Sequence, residues 1–189
     1  MTKQPLIRLT EARAPFFAGV DVGGTSIKIG IVDHQGNTLG FEEIATNEPD
    51  GPKAAMVASV EAIDRIVSRI GLERKQLAAI GLGTPGPQDI PNGLLIEPPN
   101  HPHWHHFPIV SCLESISGLS VAYNNDANAA SWGEFWLGSG RDARSMVMLT
   151  LGTGVGGGII MDGRMPVGKN SCCGELGHII VDGRPNARL

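Results

Sequence analysis

An aspartate stands where a short apolar run gives way to a helix of small residues, in VAYNNDANAAS, residues 121–131. Two chemistries suit Asp126 at that place. Asn and Asp side chains accept hydrogen bonds from the free N–H groups of a helix's first turn. A carboxylate held rigidly there is also charged at neutral pH and acceptor-only, so it can take the proton of a hydroxyl within hydrogen-bond reach. The adjacent Asn125 both donates and accepts. Capping and proton abstraction do not exclude each other.

Two glycine-rich turns carry a second chemistry. In DVGGTSIKIGIVD, residues 21–33, an apolar run ends at Asp21. Gly23 and Gly24 then permit a tight turn whose backbone approaches an anion closely. Thr25 and Ser26 add hydroxyl donors, and Lys28 adds charge. In LTLGTGVGGGII, residues 149–160, Gly152, Thr153 and Gly154 suit a backbone nest for phosphates. Either turn alone reads equally as an ordinary hairpin, and the first fits neither the Walker A nor the G-x-G-x-x-G template. Two such turns in one chain, each with a G-T element, are harder to dismiss.

The elements that must position these groups follow from pattern. FFAGVDV, SIKIGIVD and NTLGFEEIA read as strands, the first two joined through the glycine turn and the third following the turn signal HQGN. Residues 50–71 form the clearest helix: Asp50 can cap it, Pro52 suits its first turn, and Gly71 stops it. Met56, Val60, Ile63, Val67 and Ile70 give it one buried stripe. LAAIGLG (77–83) is a buried strand, EPPNHPHWHHFP (97–108) an irregular loop, PIVSCLESISG a short helix and LSVAYNN a strand. DANAASWGEFWLGSG is a helix with Trp132 and Trp136 on its core face. SMVMLTLG and VGGGIIMDG flank the second glycine turn, and GHIIVDG is a last short strand. Early hairpin-linked strands followed by crossover helices give an α/β chain.

Composition narrows the partners. The 189 residues are 41% hydrophobic with net charge −4, so no basic face points to nucleic acid, and any phosphate must be held by backbone N–H groups or a metal. Glycine occurs 26 times, against an average near 7%, concentrated in the motifs above. Cys112, Cys172 and Cys173 form no disulfide framework; the adjacent pair reads as two small buried side chains. The charged leader lacks a signal-peptide core and no apolar stretch spans a membrane, so a cytoplasmic protein with no membrane partner is expected. The histidines of HPHWHHFP lack a fixed ligand spacing and do not read as a metal site.

DVGGTSIKIGIVD, GLGTPGP, NNDANAA, LTLGTGVGGG and GELGH occur in the order and spacing of the ROK family (repressors, ORFs, kinases), and the chain resembles its glucokinases over residues 16–182. That resemblance implies an actin-like ATPase, ribonuclease H-like fold, with a polar leader (1–15), an N-terminal lobe (16–137) and the start of a second lobe (138–189). It implies ATP-dependent phosphorylation of a hexose, glucose foremost, with Asp126 as general base. ATP phosphates fall to Asp21, Gly23, Gly24, Thr25 and Lys28 on one side and to Gly152, Thr153 and Gly154 on the other, with Asp21 near Mg2+ through water. Sugar contacts fall to Gly86, Asn100, Asn125, Asp126, Glu175 and His178, with Trp104 beside Asn100 in the cleft-lining loop. Kinases of the family are commonly dimers or tetramers, which makes a homodimer the partner to expect.

The chain departs from the pattern in two places. Ser171 stands where the family often has glycine. Relatives continue past G-E-x-G-H into a C-x-C-G-x-x-G-C block, whose cysteines join a histidine matching His178 around Zn2+; here IIVDGRPNARL follows instead. The expectation is a chain truncated before that block, with His178 a zinc ligand only where cysteines are supplied. The rival expectation is a sugar-binding fragment without catalysis, or a sugar-responsive regulator lacking its DNA-binding domain.

Overall fold

The computed structural model describes residues 6–152 and 154–184. Strands β1 (Phe16–Val22), β2 (Ser26–Asp33) and β3 (Thr38–Ala45) form an antiparallel meander, followed by helix α1 (Pro52–Ile70) and strand β4 (Leu77–Thr84). A two-residue pair, β5 (Gln88–Asp89) and β6 (Leu94–Leu95), precedes helix α2 (Ile109–Ser117), strand β7 (Val121–Asn125) and helix α3 (Asp126–Trp136). The hairpin β8 (Met146–Leu151) and β9 (Val155–Ile160) comes last. The main sheet is ordered β3-β2-β1-β4-β7, with β1 parallel to β4 and β4 parallel to β7.

Alternation explains the sheet. On β2, Ile27, Ile29 and Ile31 are fully buried while Lys28 between them is exposed, so the period of two puts one apolar face under α1. The helix answers with Met56, Ala62, Ile63 and Ile66, all fully buried. Each large side chain so buried stabilises the fold by about 1.5–3 kcal/mol. The expected stripe holds at Met56, Val60, Ile63 and Val67, with Ile70 only partly buried. Gly40 on β3 lets the helix come close: a Cβ there would sit 2.4 Å from the Cγ2 of Ile66.

Several local expectations need correcting. Asp50 does not cap α1; it lies in a short 3-10 turn, Glu48–Asp50, and Gly51 at φ 84° takes the cap position ahead of Pro52. The chain must swing through a left-handed backbone there, which glycine tolerates. Trp132 and Trp136 are 42% and 45% exposed rather than core, the ring of Trp132 resting against Phe135. No strand forms at GHIIVDG: Leu176–His178 is a 3-10 turn, and Ile179, Ile180 and Val181 are exposed, since a β-prone run without a neighbouring strand has no ladder to join. Cys172 is exposed and Cys173 partly buried, and all three cysteines are free.

The chain divides into two compact units, one ending at Asp126 and the other beginning at Ala127. The body of α3 thus belongs with β8 and β9, whereas the sequence placed the end of the first lobe after residue 137. Among the described residues no helix is long and apolar enough to cross a membrane.

Asp33 closes the β2–β3 turn from inside. It is fully buried and accepts hydrogen bonds from the N–H groups of Arg13, Gln35 and Asn37 and from the Asn37 side chain. Burial pushes its carboxyl up, but these donors outweigh burial and hold it below its ordinary value. A depressed carboxyl stabilises the fold above its unfolded pKa, near 3.9, and that contribution is lost as pH falls through the folded value. Asp33→Asn should therefore lower stability by about 1–3 kcal/mol at pH 7. In urea unfolding across pH, the gap between variant and wild type should narrow below about pH 4.

Candidate active site

The carboxyl ends of β1, β4 and β7 lie side by side. In register, Asp21 faces Gly83, Gly83 faces Asn124, and Thr84 faces Asn125. Asp126 follows directly as the first residue of α3. In open parallel α/β sheets, ligands bind outside these strand ends. Asp21 carries the electrostatic mark of the arrangement. Its carboxyl is raised from the ordinary value, first by loss of water around it and further by the negative charge of Asp126, while Lys28 pulls it back. The Lys28 ammonium stands 3.9 Å from it. Two carboxylates, one on β1 and one at the start of α3, thus reach one region of the sheet edge.

The Gly23–Gly24 turn beside them is tightly fixed. Gly23 N–H donates to the Ser26 carbonyl at 2.9 Å, and a Cβ on Gly23 would lie 2.8 Å from that oxygen. The Gly23 carbonyl accepts from Thr46 Oγ1 at 2.8 Å and faces His101 Nε2 at 3.3 Å. Over the turn lies the loop 97–108. The Asn100 Cβ would be 3.8 Å from a Cβ on Gly24, and Gly86, at φ 88°, approaches so closely that its own Cβ would stand 2.7 Å from Pro98 Cα. Only glycine suits both the backbone angle and that distance.

The same loop is anchored behind the site. Its end pairs with β6 through Leu95 and Phe107. Glu48 takes the N–H and Nδ1 of His103, and Trp104 Nε1 donates to the Glu48 carbonyl. Trp104 is fully buried, so it supports the loop from within instead of lining a cleft. Beneath the ends of β4 and β7, Thr84 Oγ1 lies 2.9 Å from the Tyr123 hydroxyl, and Gln88 Nε2 donates to Thr84. Burial pushes the Tyr123 phenol up to about 12, against the opposing bond from Thr84. Sequence reasoning missed Thr46, Thr84, Gln88 and Tyr123; Thr84 and Tyr123 border apolar runs, while Thr46 and Gln88 lie in polar or breaker-rich segments that carry no signal.

In the second unit, β8 and β9 are joined as expected by a tight turn, Gly152 N–H donating to the Gly154 carbonyl at 3.0 Å. A Cβ on Gly152 or Gly154 would meet open space. Thr153 lies outside the described residues. The glycines of β9 admit neighbours, Gly158 packing on Ser131 and Asn128 and Gly157 on Leu176, and Gly174 beyond the strand packs on Asn128 and Gly158. The GELGH segment thereby packs against β9. Glu175 lies 3.9 Å from His178, with side chains 47% and 84% exposed. Ser171, in place of a glycine, adopts φ 57°.

The donor set suits some ions and not others. Asp21 is a half-exposed oxygen donor, and Mg2+ is commonly held by one or two carboxylates together with water and phosphates, so it fits. Closed zinc sites need four N or S ligands; among the described residues no three His, Cys, Asp or Glu side chains converge on a metal position, and His178 does not make a zinc site here.

The chain as a whole is similar to known proteins. The ROK family profile matches residues 17–188. A glucokinase of Halalkalibacterium halodurans is 40% identical over 88% of this chain and 50% of its own. The crystal structure of a ROK hexokinase from Thermus thermophilus superposes with a TM-score of 0.78 at 38% identity, over 87% of this chain and 53% of that one. A ROK family glucokinase from Streptomyces griseus, solved in complex with glucose and AMPPNP, gives 0.72 at 36% identity over 89% and 51%. The chain spans about half the length of these relatives. With the actin-like ATPase fold of these kinases and all its sequence motifs within the matched range, the chain belongs to the ROK family.

Proposed function

We propose that the protein transfers the γ-phosphoryl group of ATP to a primary hydroxyl of a hexose, glucose foremost, with Asp126 as general base. One observation carries this reading: Asp126 stands at the carboxyl edge of the sheet, close enough to raise the Asp21 carboxyl, while the fixed Gly23–Gly24 turn continues from the same β1 end. The names of the similar proteins, glucokinase and ROK hexokinase, and the glucose and AMPPNP held by one of them, support it.

The roles follow from residue chemistry. Phosphoryl transfer depends on positioning and charge neutralisation more than on covalent steps. Gly24 and Thr25 offer backbone and hydroxyl donors to phosphate oxygens, Gly23 shapes the turn with its own N–H held by the Ser26 carbonyl, and Lys28 adds positive charge. Asp21 is fitted to hold Mg2+ through water, an ion that neutralises phosphate charge when bound. Asn125 and Asn100 orient sugar hydroxyls as donor and acceptor, and Asp126 removes the proton as the phosphoryl arrives. Gly152, Thr153 and Gly154 are assigned to the phosphates as well, and Glu175 and His178 to the sugar. Because the chain spans half of its relatives, a second reading is a chain that binds the hexose and completes catalysis only with further sequence.

Coupled ADP-release assays over a panel of hexoses test both readings. They would use this chain and a chain completed with the part of the H. halodurans glucokinase that the alignment leaves uncovered. In the completed chain, Asp126→Asn should lower kcat by about 10²–10⁴-fold while hexose binding by calorimetry is kept. Hexose binding without turnover in wild type would leave only the binding reading, and no hexose binding by either chain would remove both.

Gly86→Ala forces a side chain into a left-handed backbone, at about 1–2 kcal/mol, and into Pro98. The loop that carries Asn100 should shift, weakening hexose affinity about tenfold, measured by calorimetry, with a smaller change in the KM for ATP.

A further inference from the structure

His101 differs from its neighbours. His103, His105 and His106 are exposed, whereas His101 is fully buried, its ring against Trp104 with centroids 4.6 Å apart. Its Nε2 faces the Gly23 carbonyl, and a carbonyl only accepts, so Nε2 carries the hydrogen. Nδ1 is buried with no hydrogen-bond partner among the described residues. A buried polar atom left in this way is unfavourable, and an apolar side chain of similar size would avoid it. Packing therefore does not account for a histidine here. The bond to Gly23 does.

That bond acts on the turn. The peptide joining Gly23 to Gly24 is planar and trans, so its C=O and N–H point in opposite directions. Thr46 and His101 hold the carbonyl from behind, which aims the Gly24 N–H away from them. His101 is also bonded in sequence to Asn100, whose Cβ lies over Gly24. One dipeptide thus touches both the turn assigned to phosphates and the position assigned to the sugar.

We propose that His101 is a positioning residue: it clamps the Gly23 carbonyl so that the Gly24 and Thr25 amides are presented to the nucleotide's phosphates in fixed register with the loop carrying Asn100. The clamp rests on the kinase reading for its purpose, though its geometry does not. It distinguishes donor chemistry at position 101 from bulk: His101→Leu keeps the volume and loses the hydrogen bond, while His101→Gln restores an N–H donor of similar reach.

The test uses ¹⁵N relaxation on the 189-residue chain and kinetics on the completed chain. The Gly24 amide order parameter should be about 0.85 in wild type and fall below about 0.6 in His101→Leu. Thermal midpoints should be unchanged or higher in His101→Leu, and His101→Gln should return the order parameter to the wild-type range. In the completed chain, His101→Leu should raise the KM for ATP about tenfold while the hexose KM stays within about twofold. An unchanged Gly24 order parameter in His101→Leu, a failure of His101→Gln to restore it, or a lowered thermal midpoint with loosening across the sheet would overturn the clamp. If the relaxation pattern holds but the wild-type completed chain transfers no phosphate, the clamp stands and the kinase reading is what fails.

Discussion

Parallel pairing of β1, β4 and β7 fixes where the two aspartates of the candidate site stand. Parallel strands advance together, so their carboxyl ends finish at one edge, and the register sets Asp21, Gly83 and Asn124 in one row. The next residues, Thr84 and Asn125, make the following row, and Asp126 begins a helix beyond it. A slip of one residue in β7 would turn Asn124, Asn125 and their neighbours to the opposite faces. The Thr84–Tyr123 contact ties the last turns of β4 and β7 together at that edge. Both carboxylates are brought to that edge by backbone ladders.

Close approach by glycine is the second constraint, and it operates in both units. Gly40 admits α1 to the sheet, Gly86 admits the Pro98 backbone, and Gly157, Gly158 and Gly174 admit Leu176, Ser131 and Asn128. The glycine excess in the composition is therefore spread over two uses: tight turns, as at Gly23–Gly24 and Gly152–Gly154, and contacts where no side chain fits.

Much of this was legible before any coordinates. Alternation marked β2, a stripe of Met56, Val60, Ile63 and Val67 marked α1, and the glycine turns marked both hairpins, because each signal is local and repeats. The gathering of Asp21 and Asp126 came from motif resemblance, since strand order is not written in any one segment. What escaped had a tertiary origin. Gly51 caps α1 because of how the preceding 3-10 turn delivers the chain. The Trp132 and Trp136 spacing suggested a core face, yet spacing says only that two rings share a side, not that the side is covered. His101 reads as a loop residue and Thr46 drew no reading at all, and their convergence on one carbonyl joins segments far apart in sequence.

The loop 97–108 is tied at its end to β6, at its middle to Glu48 and at its start to Gly86. Such a segment has already surrendered its conformational freedom during folding. For the hexose proposed to bind at Asn100, the entropy that a floppy loop would forfeit on association then does not subtract from affinity. Preorganisation of this kind lets a small, strongly hydrated ligand be held by a few hydrogen bonds.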